Sequence, residues 1–194
     1  MKRIAFLLGI AIMSLFVFAV RNLSAQSDLS IETKDSTTGK KKLKILAIGN
    51  SFSRNATQML PGLVSAAGHE LIICNAAPGG HSLQMHYDKA MINEKNPGDS
   101  AGKPYKYNEK KMSLKDVLAA EKWDYVTIQQ SSPNSFKIET YRPYAKDLCD
   151  YIKKHAPQAE IVFHQTWSWR PDSTRQGMNT KGEGFMYREL TKAY

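Results

Sequence analysis

Leu43-Lys44-Ile45-Leu46-Ala47-Ile48 runs directly into Gly49-Asn50-Ser51-Phe52-Ser53, and the joint between the two stretches points to the architecture of the whole domain. A short apolar run ending at a glycine reads as a buried strand. Near-continuous apolarity, without alternation, is what a strand covered on both faces requires, and that situation belongs to parallel sheets with helical layers on either side. A polar Gly-Asn-Ser turn placed straight after such a strand lies at the carboxyl edge of the sheet, where open α/β folds bind their ligands.

The pattern repeats along the chain. Gln58 to Ala67 reads as a helix capped by Thr57, with Met59, Leu60, Leu63, Val64 and Ala67 on one face and Gly68 ending it. Glu70 to Ala76 is a second strand, Pro78-Gly79-Gly80 a turn, and Ser82 the cap of a helix to about Asn93. Glu94 to Lys111 is rich in Pro, Gly, Asn, Lys and Tyr and shows no period, so it reads as a surface insertion. Ser113 to Asp116 resembles a capping box opening a helix to about Lys122. Trp123 to Gln129 is a third strand, Thr140 to His155 a helix, and Glu160 to His164 a fourth strand, with a further helix from Lys181. Strands alternating with helices predict a three-layer α/β/α domain around a parallel sheet. Tyr194 falls inside a helical pattern with no stop signal, so the expectation is that the natural protein continues beyond it.

The residues following each strand are therefore the site candidates. Ser51 sits where a tight turn exposes its hydroxyl, although a Ser in this position also serves as a plain helix cap. Asn75 to Ser82 carries Gly79 and Gly80, which permit close backbone approach and leave an N–H free to donate. Gln129-Gln130 end the third strand, and a side-chain amide there can face an oxyanion or belong to a structural network. After the fourth strand, Trp167 and Trp169 offer either a wall for a sugar or ordinary core packing.

Taken in order, these segments resemble a known family. Gly49-Asn50-Ser51-Phe52-Ser53 is similar to the first block of SGNH/GDSL hydrolases, with Asn where many members carry Asp, and Asn75 to Gly80 is similar to their second block. Ile48 to Ser53, Gly79-Gly80-His81-Ser82-Leu83 with His86, and Trp123 to Gln130 together resemble the DUF4886 branch. The resemblance spans Leu43 to Tyr194 and implies a flavodoxin-like sheet and serine esterase chemistry needing no cofactor or metal. It also implies Ser51 as nucleophile and the Gly80 backbone as oxyanion donor. The third block departs from Gly-x-Asn-Asp, so its amide falls to Gln129, Gln130 or Asn134. Asn50, Gly79, His81 and Trp167 are the expected substrate contacts. The family's Asp-x-x-His is absent from the 194 residues, and the expectation places it after residue 194.

Composition narrows the setting. Residues 1–25 read as a secretory signal: Lys2 and Arg3, an apolar run from Ile4 to Val20, and Leu23-Ser24-Ala25 as a cleavage site. The run is near the lower limit for spanning a bilayer, which makes a retained anchor the competing reading. Residues 26–42 read as a linker, and 43–194 as the domain, working in the periplasm or outside the cell without stable membrane association once the signal is cleaved. The net charge of +9 is spread, its one dense run being Lys40, Lys41, Lys42 and Lys44, and no aromatic-interleaved basic face points to nucleic acid. The expected partner is a small-molecule or glycan ester. Cys74 and Cys149 lie in apolar patterns and read as free buried thiols.

Overall fold

The computed structural model describes residues 39–194, so the signal reading and nearly all of the linker lie outside the described residues. Lys40 to Tyr194 forms one compact unit. Strand β1 (Lys42–Ile48) leads to helices α1 (Ser51–Thr57) and α2 (Leu60–Ala66), then β2 (Glu70–Ala76) and α3 (Leu83–Lys95). A 3₁₀ turn at Ser100–Gly102 and a hairpin of β3 (Tyr105–Tyr107) and β4 (Lys110–Met112) precede α4 (Leu114–Ala119) and β5 (Tyr125–Ile128). Another 3₁₀ turn, Ile138–Tyr141, leads to α5 (Tyr144–His155) and β6 (Glu160–Phe163). A last 3₁₀ segment, Arg175–Thr180, ends before α6 (Phe185–Ala193).

The main sheet is parallel in the order β2-β1-β5-β6, with helices flanking it, as the alternating pattern predicts. Because β1 lies between β2 and β5, the turn carrying Ser51 is bordered by the loops that follow those two strands. Leu46, Ile48, Val126 and Ile128 from the sheet pack with Leu83, Ala90, Leu114, Val117, Leu118, Leu148 and Ile152 in one core. Burying a side chain of this size contributes on the order of 2 kcal/mol, so this layer carries much of the stability. A smaller cluster of Phe136, Met178, Met186 and Leu190 lies under α6. Among the described residues no helix is long and apolar enough to cross a membrane.

Several local expectations change. The predicted helix over 58–67 is found as the shorter α2, and a separate helix that was not expected, α1 capped by Asn50, precedes it. Thr57 ends α1 instead of capping α2, and its hydroxyl donates to Ser53 O at 2.8 Å and Asn75 Oδ1 at 3.1 Å. The apolar face expected of that helix is not buried: Met59 and Leu63 are 70% and 65% exposed. The 94–111 stretch is no plain surface insertion, since its hairpin sends Tyr105 into the core with only 2% exposure. The helix over 140–155 breaks at Pro143, which has no N–H to give, so α5 begins at Tyr144. Gly182 and Gly184, both left-handed, delay the last helix from Lys181 to Phe185. Both cysteines are free, Cys74 buried and Cys149 half-buried. Three lysines of the run are ion-paired: Lys40 and Lys42 with Glu70, Lys44 with Glu121.

Candidate active site at the carboxyl edge of the sheet

Asn50 organises this edge. Its own backbone is extended, so it sits outside the helix it caps, and its side chain is almost fully buried. Oδ1 accepts from Phe52 N–H at 3.0 Å and from Gln129 Nε2 at 3.0 Å, while Nδ2 donates to His81 O at 3.0 Å. One amide therefore joins the loops after β1, β2 and β5. The two glycine-bearing loops named from the sequence lie on the same edge, tied through this residue.

Ser51 follows as the first residue of α1, exposed to solvent. The first N–H groups of a helix have no intrahelical acceptor. That of Phe52 is taken by Asn50, and that of Ser51 meets no acceptor among the described residues. Gly80, at φ +72, holds the left-handed conformation that favours glycine, and its N–H likewise meets no acceptor among the described residues. Gly79 and Gly80 are exposed and crowded by nothing. Ser51 and Gly80 thus each carry an uncommitted backbone donor, on two loops that Asn50 ties together.

The glutamines behave differently from an oxyanion donor. Gln129 is wholly buried; its Nε2 donates to Asn50 Oδ1 and to Gln130 O at 3.2 Å, and its Oε1 accepts from Ser53 Oγ at 2.5 Å. Gln130 Nε2 donates to Thr140 O and Oγ1 at 3.0 and 3.2 Å, while its Oε1 accepts from Leu83 N and Ser131 N. Both amides are consumed by the network that shapes the loops, so neither has a hydrogen left to give. Asn134, half-buried in the loop after β5, has a side chain with no hydrogen-bond partner among the described residues and remains the available amide.

Two aromatic rings flank the turn. Trp167, 48% exposed, packs on Phe52 with ring centroids 4.1 Å apart, next in sequence to Ser51. Behind it lies a cavity of about 540 Å³ lined by Trp167, Trp169, Arg170, Asp172, Ser173 and Arg175. Trp169 instead turns toward Phe136 in the smaller core and carries Arg175 at 5.8 Å over its ring.

The histidines divide sharply. His81 is half-buried beside Gly80, with Nδ1 3.4 Å from Gly79 O and a buried Nε2 that has no partner among the described residues; burial holds its pKa below the usual value. His164, after β6, is lowered by burial too. His86 is entirely buried, because it falls on the face of α3 shared by Leu83, Ala90 and Asn93. Its Nε2 lies 2.9 Å from Gly49 O and its Nδ1 2.8 Å from Tyr105 Oη. Burial, reinforced by the neighbouring His81, pushes its pKa down to about 3. Sequence reasoning missed Ser53 and Tyr105; the Ser82-to-His86-to-Ala90 spacing was the signal that His86 points inward.

A family model described as a domain of unknown function, DUF4886, matches residues 44–193. A crystal structure of a DUF4886 family protein from Bacteroides uniformis ATCC 8492 is 31% identical with a TM-score of 0.64, covering 78% of this chain and 61% of that one. The chain therefore spans 61% of the length of that relative. A protein from Slackia heliotrinireducens, provisionally assigned as an SGNH hydrolase, shares the fold at 22% identity and a TM-score of 0.50, covering 78% of this chain and 71% of that one. No curated protein matches the chain. With a parallel sheet of SGNH type, the Gly-Asn-Ser turn on its central strand and a match running through 150 residues of the domain, the chain belongs to the DUF4886 family.

Proposed function

We propose that the intact protein is a serine esterase whose nucleophile is Ser51. One observation carries the reading: an exposed serine follows the central strand, and the buried Asn50 ties its turn to the glycine loop of β2 and the loop of β5. In this mechanism Ser51 Oγ attacks the ester carbonyl while a histidine takes its proton. The oxyanion forms between the N–H groups of Ser51 and Gly80, with the Asn134 amide as third donor. Each such donor typically lowers the barrier by about 3 kcal/mol. Collapse expels the alcohol, which receives the proton from the histidine, and water then releases the acid from acyl-Ser51 by the same route. His86 cannot be the base, since both ring nitrogens are engaged in the interior. The base and its orienting acid, an Asp-x-x-His pair in the families this chain resembles, are not among the 194 residues and in this reading come from outside them.

The ester is proposed to lie on a carbohydrate, with an acetyl group as the acyl part. The exposed Trp167 face beside Ser51 and the polar, arginine-bearing cavity behind it support this, as does the export reading of the N-terminus. The test is hydrolysis of p-nitrophenyl acetate and of acetylated glycans by the intact protein and its Ser51→Ala variant. Loss of turnover in the variant is expected; equal turnover removes Ser51 from the mechanism.

A second reading, a glycan-binding module on a hydrolase scaffold, is favoured by the spent amides of Gln129 and Gln130. It predicts glycan affinity that survives Ser51→Ala, falls in Trp167→Ala and comes with no ester turnover.

A further inference from the structure

We propose that His86 and Tyr105 form a positioning pair that fixes the nucleophile turn from beneath, and that the 96–112 excursion delivers Tyr105 for this purpose. The proposal rests on the esterase reading of Ser51.

Gly49, the residue from which the turn departs, is held on both sides. Its N–H donates to Ala76 O at 3.2 Å, and its carbonyl faces His86 Nε2 at 2.9 Å. A carbonyl only accepts, so Nε2 carries the hydrogen. A neutral imidazole then has an acceptor at Nδ1, and the Tyr105 hydroxyl, 2.8 Å away, donates to it. The opposite tautomer would set a lone pair against the Gly49 oxygen. The Gly49 carbonyl thereby fixes the proton on Nε2, and the Tyr105 hydroxyl, able to donate or accept, pairs the Nδ1 that is left, so that both ring nitrogens are held in the interior. The rings lie nearly parallel, 10° apart with centroids at 5.8 Å, so neither swings without displacing the other.

The excursion is built against the same helix face. A Cβ on Gly102 would stand 2.8 Å from Asn93 N, so the 3₁₀ turn lies directly on α3 two turns beyond His86. The hairpin then brings Tyr105 back under the sheet edge. Packing alone does not ask for these residue types. Tyr105 belongs to the same core as Leu83, Leu114 and Trp123, where a Leu–Phe pair would bring no polar groups to satisfy. What the polar pair adds is a directed bond to the peptide that launches Ser51.

The test compares His86→Leu, His86→Gln and Tyr105→Phe in the intact protein, each confirmed folded by circular dichroism. Gln sets an amide nitrogen near the place of Nε2 and keeps the donor; Leu does not. Small displacements of a reacting group cost about 100-fold in rate. His86→Leu is therefore expected to lower kcat on p-nitrophenyl acetate by about that factor with KM within about twofold, and His86→Gln to restore most of it. Tyr105→Phe, which preserves the ring, is expected to lower kcat by about tenfold. Unchanged kcat in His86→Leu and Tyr105→Phe, or His86→Gln falling as far as His86→Leu, overturns the proposal. Should His86→Leu not fold, Tyr105→Phe and His86→Gln decide. Nitrogen-15 spectra of the His86 ring test the pair independently of turnover: protonation at Nε2 is expected in the wild type, and in Tyr105→Phe the Nδ1 resonance is expected to shift to that of an unpaired imine nitrogen. Protonation at Nδ1 in the wild type overturns it. A wild-type protein inert toward esters and toward a serine-directed fluorophosphonate sinks the esterase reading instead, and the ring spectra still decide the pair.

Discussion

Replacing Asn50 by Ala tests whether one buried amide holds the three loops together. The substitution removes three hydrogen bonds of 3.0 Å, to Phe52 N–H, Gln129 Nε2 and His81 O. At about 1 kcal/mol net for each, the loss is about 3 kcal/mol. The losses are not equal. Gln129 is wholly buried and its other hydrogen is spent on Gln130 O, so the hydrogen it gave to Asn50 is left unpaired and costs the most, whereas Phe52 N–H lies at a half-buried helix end and costs less. Losing a helix cap by itself typically costs about 1 kcal/mol, which agrees. Urea denaturation of the intact protein is the assay, with unchanged slope showing that only stability has moved. A cycle with Gln129→Ala isolates the bond between the two side chains, for which a coupling of about 1 kcal/mol is expected. A total loss below about 1 kcal/mol, or no coupling, refutes the assignment of Asn50 as the link between the loops.

Gly49→Ala puts a Cβ 2.2 Å from Ser53 Oγ and 2.7 Å from Gln129 Oε1, so overpacking and the broken buried bond together cost about 3 kcal/mol, read as a fall in Tm. Gly62→Ala in α2, where nothing lies within 4 Å, is the control and gains about 0.5–1 kcal/mol. His86 binds a proton readily when unfolded, near pH 6.5, but only near pH 3 when folded. The unfolded chain therefore holds more protons in that interval; stability is fully present above pH 6.5 and drains away as pH falls toward 3, and His86→Gln flattens that slope. Burial pushes the Cys74 thiol up to about 12, so in the native protein it resists thiol reagents at pH 8 while denaturant exposes it.

The sheet was legible because each strand is a mainly apolar run and each is punctuated by Gly, Pro or a polar turn, features set locally. Ser51 and the Gly79-Gly80 turn were legible for the same reason, being tied to strand ends. What escaped depends on partners distant in sequence. Nothing near Gln129 says that its amide is spent on Asn50, 79 residues away. Nothing near Tyr105 says that an aperiodic segment returns to bond His86, since a three-residue strand is too short to show alternation. The exposed face of α2 illustrates the converse: helical spacing of Met59, Leu60, Leu63 and Val64 fixes which side is apolar, but not whether another element covers it.

Labelling of the intact protein with a fluorophosphonate, followed by peptide mapping, asks whether Ser51 is the nucleophile. A single modified peptide containing Ser51, lost in Ser51→Ala while Ser53→Ala still labels, is the predicted result. Modification at another serine, or undiminished labelling and ester turnover in Ser51→Ala, contradicts it.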